Sequence, residues 1–471
     1  MAEQINLDEM RNNVNELLDS REFGRIRVLF TAMEPADIAE LLGEIDEQRL
    51  PILFRILPKE LAAETFVEMD SDEQELLINA FSERELHDVV EELFVDDAVD
   101  IIEEMPANVV KRILRHTDSE MRNSINEILR YPKDSAGSIM TTEYVSLKKD
   151  MTVSEAFDRI RRTGVDKETI YTCYVTDTDR KLIGLVTVKE LLLSPYNTVI
   201  NTIMEKNIIS VETLDDKEEV ANMFDKYDFM SLPVVDKENR LVGIVTFDDA
   251  IDVIQEENTE DIQKMGALQP IEETYLKTPV WRHAKNRIVW LLLLMLSATI
   301  TGSIIENYEA AFTALPILVA FIPMLMDTGG NCGAQSSTMI IRGLALDEIT
   351  PKDIMKIMFK EIRIAVVVGL ILAAVNTLRI YIMYSGQDPL FLSAVTGLSL
   401  IATVVIAKML GGVLPILAKL CKLDPALMAS PLITTIVDTC SVIIFFNIAL
   451  WIMSWGCLLY TSDAADEEDS V

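Results

Sequence analysis

The sequence predicts a multidomain protein: an all-α helical superhelix, an α/β internal repeat, a linker helix and a five-helix α transmembrane domain. Three observations predict it. Apolar residues recur at helical spacing as far as about residue 130. Two blocks between about 138 and 256 repeat each other in order. Beyond residue 287 long apolar runs replace a soluble composition. The 471 residues leave room for two or three domains. Roughly 60 of the 76 acidic residues precede 287. A formal net charge of −34 argues against a nucleic-acid partner, which needs a basic face. It favours cations, although an acidic solvated surface explains most acidic proteins.

Residues 1–132 are assigned to a helical N-terminal regulatory domain. Stretches such as "RIRVLFTAMEPADIAELLGEID" and "ELLINAFSERELHDVVEELFVDDAVDIIEEMP" place apolar residues at i, i+3, i+4 and i+7, with Pro or Asp at the starts. Units of about 20–25 residues suggest stacked helical hairpins. The polar, acidic "MAEQINLDEM" does not read as a signal peptide.

Residues 138–256 hold the repeat. "YVTDTDRKLIGLVTVKELL" aligns with "PVVDKENRLVGIVTFDDAI", and "SIMTTEYVSLKKDMTVSEAFDRI" with "TIMEKNIISVETLDDKEEVANMF". Each half reads strand, helix, strand, polar hairpin turn, strand, helix. This resembles a tandem pair of CBS domains. The resemblance implies a ligand-sensing module, for ions or an adenine nucleotide such as ATP. Neither half carries a catalytic constellation.

Residues 257–286 are read as a linker, a helix running toward the membrane and then an amphipathic segment ending at Trp281. The pore domain is placed at 287–456, with spans at about 287–305, 311–341, 362–384, 390–420 and 428–453. Each can cross a ~30 Å apolar layer, which takes about 20 residues. Arg342, Lys352, Lys356, Lys360 and Arg363 lie between the second and third spans, and Lys419 and Lys422 between the fourth and fifth. The positive-inside rule puts both turns and the N-terminal half in the cytoplasm and the C-terminus outside. A multi-pass protein of the cell inner (plasma) membrane is expected. The end, "CLLYTSDAADEEDSV", breaks the pattern and looks like translated adapter sequence, so 457–471 is set apart as foreign.

The five cysteines lack CxxC spacing and the three histidines are far apart, so neither a thiolate site nor a zinc motif is present. The chemistry lies in the spans. "PLITTIVDTC" carries Asp438, the only formal charge between Asp424 and the tail. A carboxylate near the middle of a membrane helix costs roughly 2.5–3.5 kcal/mol. Ser430, Thr434, Asp438 and Ser441 share one helix face, which reads as a cavity lining or, equally, as a buried Asp capping a neighbouring helix. In "PILVAFIPMLMDTGGNCGAQSSTMIIR", prolines and glycines predict an interrupted helix whose carbonyls around Gly329–Gly333 line a hydrated path, with Asn331 nearby. Close packing through small residues is the alternative. Glu361 is a candidate for the cytoplasmic mouth, though an interfacial charge is the commoner case.

The order of domains, with "TGGNCGAQSST", "IIRGLAL" and "LDPALMASPLITTIVD", resembles the MgtE family of magnesium transporters over about residues 5–455. The resemblance implies a homodimeric Mg²⁺-selective channel in the lipid bilayer, with the pore between protomers and Asp438 as its aspartate. Asn331 and Thr434 join it as pore candidates. Ala334 and Ser430 depart from the family, which often has Asn at both positions. Acidic residues cluster in "FVDDAVD" and "DDAIDVIQEENTED"; taken singly, each is more often a solvated charge. The resemblance implies that Asp96, Asp100, Glu218, Asp228, Asp249, Asp252, Glu257, Glu260 and Asp261 bind regulatory Mg²⁺. Apposed carboxylates repel without a cation and draw together around one, so closure is expected to follow cytoplasmic Mg²⁺ as negative feedback.

Oxygen ligands and the absence of N or S from the stripe suit Mg²⁺. With no GxxxxGK[ST] loop, an ATP-driven pump is not expected. Two other classes have some support in the sequence. The "DTG" of "MDTGG" suggests an intramembrane protease using Asp327 and Asp438, and the CBS pair alone would fit a nucleotide sensor. The flanking sequence fits a transporter better than an enzyme.

Overall fold

The computed structural model describes residues 7–271, 275–276, 278–308, 316–346, 348–384, 388–428 and 430–468, except the side chains of 8, 166, 430 and 455–468. It divides into two compact units, Met1–Gln255 and Glu256–Val471.

In the first unit, ten described helices follow one another: α1 (Leu7–Asp19), α2 (Phe23–Phe30), α3 (Pro35–Gly43), α4 (Leu50–Phe54), α5 (Lys59–Val67), α6 (Ser71–Ala80), α7 (Glu83–Val90), α8 (Val95–Glu104), α9 (Ala107–His116) and α10 (Ser119–Ile128). Their starts follow from local chemistry. Pro35 opens α3 at a position whose N–H would be unpaired anyway. Ser82 and Glu85 form a capping box at α7, the Glu85 carboxylate accepting from the Ser82 N–H at 2.7 Å. The apolar stripes meet in a core that includes Phe54, Phe66 and Phe81.

The repeat folds as two matching halves. The first is β1 (Tyr144–Lys148), α11 (Val153–Thr163), β2 (Thr169–Thr176), β3 (Leu182–Thr187) and α12 (Val188–Leu193). After α13 (Ile200–Ile203) the second is β4 (Val211–Glu212), α14 (Lys217–Tyr227), β5 (Ser231–Val235), β6 (Leu241–Thr246) and α15 (Phe247–Met265). In each half the first strand pairs parallel and the third antiparallel with the second. The hairpin turns use the same device. Asp177 Oδ1 accepts from the backbone N–H groups of Asp179 and Lys181, and Asp236 Oδ1 from those of Glu238 and Arg240. Arg180 and Asn239 take the left-handed position there, at φ 65° and 62°.

Among the described residues, the second unit holds five helices long and apolar enough to cross a membrane. They are α16 (Val280–Glu306), α17 (Ile322–Ala345), α18 (Ile354–Met383), α19 (Pro389–Leu420) and α20 (Ser430–Glu468). Trp281 lies exposed in the first turn of α16 rather than closing a separate amphipathic segment. The set-apart tail continues α20 to Glu468; its side chains and residues 469–471 lie outside the described residues.

The expected interruption in the second span is not found. A 3₁₀ turn, Pro316–Phe321, precedes α17, Pro323 sits in its first turn, and α17 then runs unbroken through Gly329, Gly330 and Gly333. The carbonyls of that stretch therefore belong to the helix. The glycines bring helices together instead. A Cβ on Gly329 would press on Thr403, Val437 and Ser441, and one on Gly411 would collide with the Gly333 carbonyl oxygen.

Candidate functional site

The predicted pore residues lie on α17 and α20, which pack against each other. The buried face of α17 carries Gly329, Gly330, Cys332, Gly333, Ser336, Ser337 and Ile340. Its exposed face carries Asp327, Asn331 and Gln335, at steps of four. Asn331 Nδ2 donates to Asp327 Oδ1 at 3.0 Å, which leaves the amide oxygen of Asn331 as an acceptor. Gly330 faces Thr434 across the helix contact. The Thr434 hydroxyl donates to the Pro431 carbonyl at 3.0 Å, so its lone pairs stay available. Asp438 is half-buried one turn on, near enough to Asp327 for the two charges to act on each other.

The predicted stripe of α20 therefore divides. Thr434 and Asp438 remain partly open, whereas Ser441 is buried against Gly329 and donates to the Val437 carbonyl at 2.7 Å. The Ser430 side chain lies outside the described residues, and Ala334 is half-buried on α17. Glu361 is turned into the bundle. It is 9 % exposed, its Oε2 accepts from the Ser336 hydroxyl at 2.6 Å, and Lys408 Nζ lies 3.9 Å away. Sequence reasoning passed over Lys408 because a single Lys barely disturbs the apolar run of α19.

In the first unit Asp96 and Asp249 come together with Asp97 of the same acidic run and with three acids that the sequence did not single out: Glu143, Glu168 and Asp248. Asp96, in the first turn of α8, is 5 % exposed, and its Oδ1 has no hydrogen-bond partner in the structure. Burial, then Asp249 and Asp97, push its carboxyl well above the usual range. Burial and Asp249 push Asp97 up to about 7, and burial and Asp248 push Glu168 up to about 8. Asp249 rises to about 6 through burial, opposed by the Thr246 hydroxyl that donates to it. Glu143 accepts from the Val95 N–H at 3.0 Å and so holds the start of α8 beside the cluster. Among the described residues no three His, Cys, Asp or Glu side chains form a ready cation cage. An all-oxygen set with two orphaned buried carboxylate oxygens, Asp96 Oδ1 and Glu168 Oε2, still fits a hard cation that keeps some of its water.

The remaining candidates are dispersed. Asp100 and Asp252 are exposed, each about one turn beyond a cluster member on α8 and α15. Glu218 and Asp228 lie at opposite ends of α14, roughly 15 Å apart at 1.5 Å per residue, so they cannot share one ion. Glu257 is half-buried on α15. Glu260 and Asp261 meet a group that sequence reasoning missed. Lys264 Nζ lies 2.5 Å from Glu260 Oε1 and 2.6 Å from Asp424 Oδ2, in the turn before α20. Burial opposes that ammonium's charge, but Asp424 and Glu260 hold its pKa above the usual lysine range. Burial and Asp424 raise the Asp261 carboxyl.

Residues 322–448 match the family described as MgtE, divalent cation transporter. The chain is 34% identical over 446 residues to the magnesium transporter MgtE of Thermus thermophilus, covering 94% of this chain and 98% of that one. This chain belongs to the MgtE family. Residues 33–134 match the MgtE intracellular N domain, and 136–195 and 200–256 each match the CBS domain. The MgtE of Enterococcus faecalis is 32% identical over 461 residues, covering 97% of this chain and all of that one. Among solved structures, the soluble part of a magnesium transporter is 31% identical with a TM-score of 0.50, covering 53% of this chain and 99% of that one. MgtE membership makes the chain a transporter by family rather than an enzyme.

Proposed function

We propose that this chain carries Mg²⁺ across the cell inner membrane along a path lined by Asp438, Thr434 and Asn331, and that internal Mg²⁺ closes it. One observation carries the reading. Asp327, Asn331 and Gln335 form an exposed polar face on a membrane-spanning helix, beside Asp438. A carboxylate facing lipid would cost roughly 2.5–3.5 kcal/mol, so this face belongs against water or a second copy of the chain. Mg²⁺ sheds water reluctantly, and Asp438, the Thr434 hydroxyl and the Asn331 amide oxygen suit its hydrated form. A single Asp438 per chain favours a two-fold homodimer that pairs the carboxylates around one path. Entry is driven by the membrane potential: a divalent ion gains about 4.6 kcal/mol across 100 mV, twice the single-charge value. The names of the relatives as magnesium transporters support the choice of ion. The basic turns, Lys352 to Arg363 and Lys419 with Lys422, favour cytoplasmic N-terminal domains and an outside C-terminus.

For regulation, the Asp96–Asp249 cluster is the primary cation site. Its charges repel without an ion and are bridged with one. Closing the pore from 1:99 to 99:1 needs about 5.5 kcal/mol of differential binding, within reach of several weak sites acting together. The CBS pair supports an adenine nucleotide such as ATP as a second ligand by its architecture alone.

Growth of a bacterium deficient in Mg²⁺ uptake tests the path. The parent chain restores growth at low Mg²⁺ and Asp438→Ala does not; restoration by both would make Asp438 structural. Feedback is tested by Asp96→Asn with Asp249→Asn. Inhibition of uptake by internal Mg²⁺ should weaken about tenfold, and unchanged inhibition would remove the cluster from the gate.

A further inference from the structure

Three spans meet at a buried charge that the ion path does not use. Lys408 of α19 is 5 % exposed and donates to the Ser336 hydroxyl of α17 at 3.1 Å. Ser336, 2 % exposed, donates in turn to Glu361 of α18 at 2.6 Å. The next turn of α19 seals the junction: Gly411 lies against the Gly333 carbonyl and Gly412 against the Glu361 side chain. A buried ion pair is rarely more stabilising than well-packed apolar residues. Losing one partner is far worse, because the other charge then stays in a low-dielectric bundle. The best-attested use of such a pair is to fix register.

Register matters here because Ser336 sits directly after Gln335. The same helix turn that buries Ser336 against Glu361 and Lys408 turns Asn331 and Gln335 outward. We propose that Lys408 is a positioning residue for ion passage: by neutralising Glu361 through Ser336, it fixes the rotation of α17 that presents Asp327, Asn331 and Gln335. The inference rests on reading that face as the ion path. Lys408 touches no ion; it acts through Glu361 and Ser336.

A native reporter lies beside the face. Cys332 is buried next to Asn331, so a water-soluble thiol reagent should reach it slowly while α17 holds its rotation. The experiment uses the full chain in proteoliposomes, with the other four of its five cysteines replaced by serine. Mg²⁺ uptake and Cys332 labelling are measured for the parent, Lys408→Met, and Lys408→Met with Glu361→Gln. Lys408→Met should lower uptake and speed Cys332 labelling, each about tenfold, because Glu361 is left uncompensated. The double variant, with no charge to compensate, should return both to within about threefold of the parent.

Parent-like uptake and labelling in Lys408→Met would overturn the proposal. So would lost uptake with Cys332 still protected, or a double variant as impaired as the single one. If Lys408→Met fails to accumulate, the proposal stands only if the double variant accumulates, transports and protects Cys332; otherwise it falls. Labelling is read independently of flux. Failure of the ion-path reading, seen as full transport by Asp438→Ala, is therefore distinguishable from failure of this one.

Discussion

Asp97 and Glu168 are held at about 7 and about 8 by burial and by each other's neighbours, against an ordinary carboxylate range near 4. Their protons are bound more tightly in the folded chain than in the unfolded one. Stability from these groups is therefore fully present below about pH 4 and is lost progressively as pH rises from there through the folded values of about 7 and about 8. In detergent and without divalent cation, the melting temperature of the full chain should be lower at pH 8.5 than at pH 5.5. Saturating Mg²⁺ should remove most of that difference, and so should Asp97→Asn with Glu168→Gln. Equal melting temperatures for the cation-free parent would mean that the cluster carries no such strain. Half of this site was legible in the sequence. Asp96 and Asp249 stand in dense acidic runs at helix starts. Glu143 and Glu168 are isolated carboxylates flanking strands, and only folding brings them against α8. Lys408 was hidden for a related reason: in an apolar span one charge changes the composition little, while its partner lies 47 positions earlier in the chain.

At the scale of elements, glycine was the residue that sequence reasoning weighed wrongly in α17. Gly and Pro break an isolated helix, but between packed spans Gly allows backbones to approach, and the prolines of this segment fall only in its opening turns. The two effects predict opposite outcomes for Gly→Ala at two sites. A Cβ at Gly411 collides with the Gly333 carbonyl oxygen, a rigid backbone atom, so Gly411→Ala should destabilise the membrane unit by about 1–3 kcal/mol. Gly24, in α2, has open space around it, so Gly24→Ala should be neutral or stabilise by up to about 1 kcal/mol. Thermal unfolding of the two variants beside the parent checks both. A neutral Gly411→Ala would mean that α17 and α19 do not need their close approach. The repeat was legible throughout because its signals are local. Alternating strands, an Asp at each hairpin and capping residues at helix starts are all set within a few positions.

At the scale of the whole chain, composition alone separated an acidic half from an apolar half, and the five spans followed from length and hydropathy. What composition could not reveal is how the end of α15 is held in the second unit. Periodicity identifies a helix there but not its neighbour, and that neighbour, Asp424, lies 160 positions further on. The structure supplies an ammonium between carboxylates: Lys264 joins Glu260 of its own helix to Asp424 before α20, with Asp261 alongside. The arrangement does within the chain what a bound cation would do between the same oxygens. It ties α15 to the turn that leads into the helix of Thr434 and Asp438. A partly exposed pair of this kind contributes on the order of 1 kcal/mol, a factor of about five in an equilibrium. If α15 transmits closure to the ion path, Lys264→Met should raise uptake at high internal Mg²⁺ by about two- to fivefold while leaving the fully open rate unchanged. Lys264→Arg should keep the parent's response, because it keeps the charge. Uptake measured in vesicles loaded with graded Mg²⁺ decides between the outcomes. Identical inhibition curves for Lys264→Met and the parent would mean that closure reaches α20 by another route.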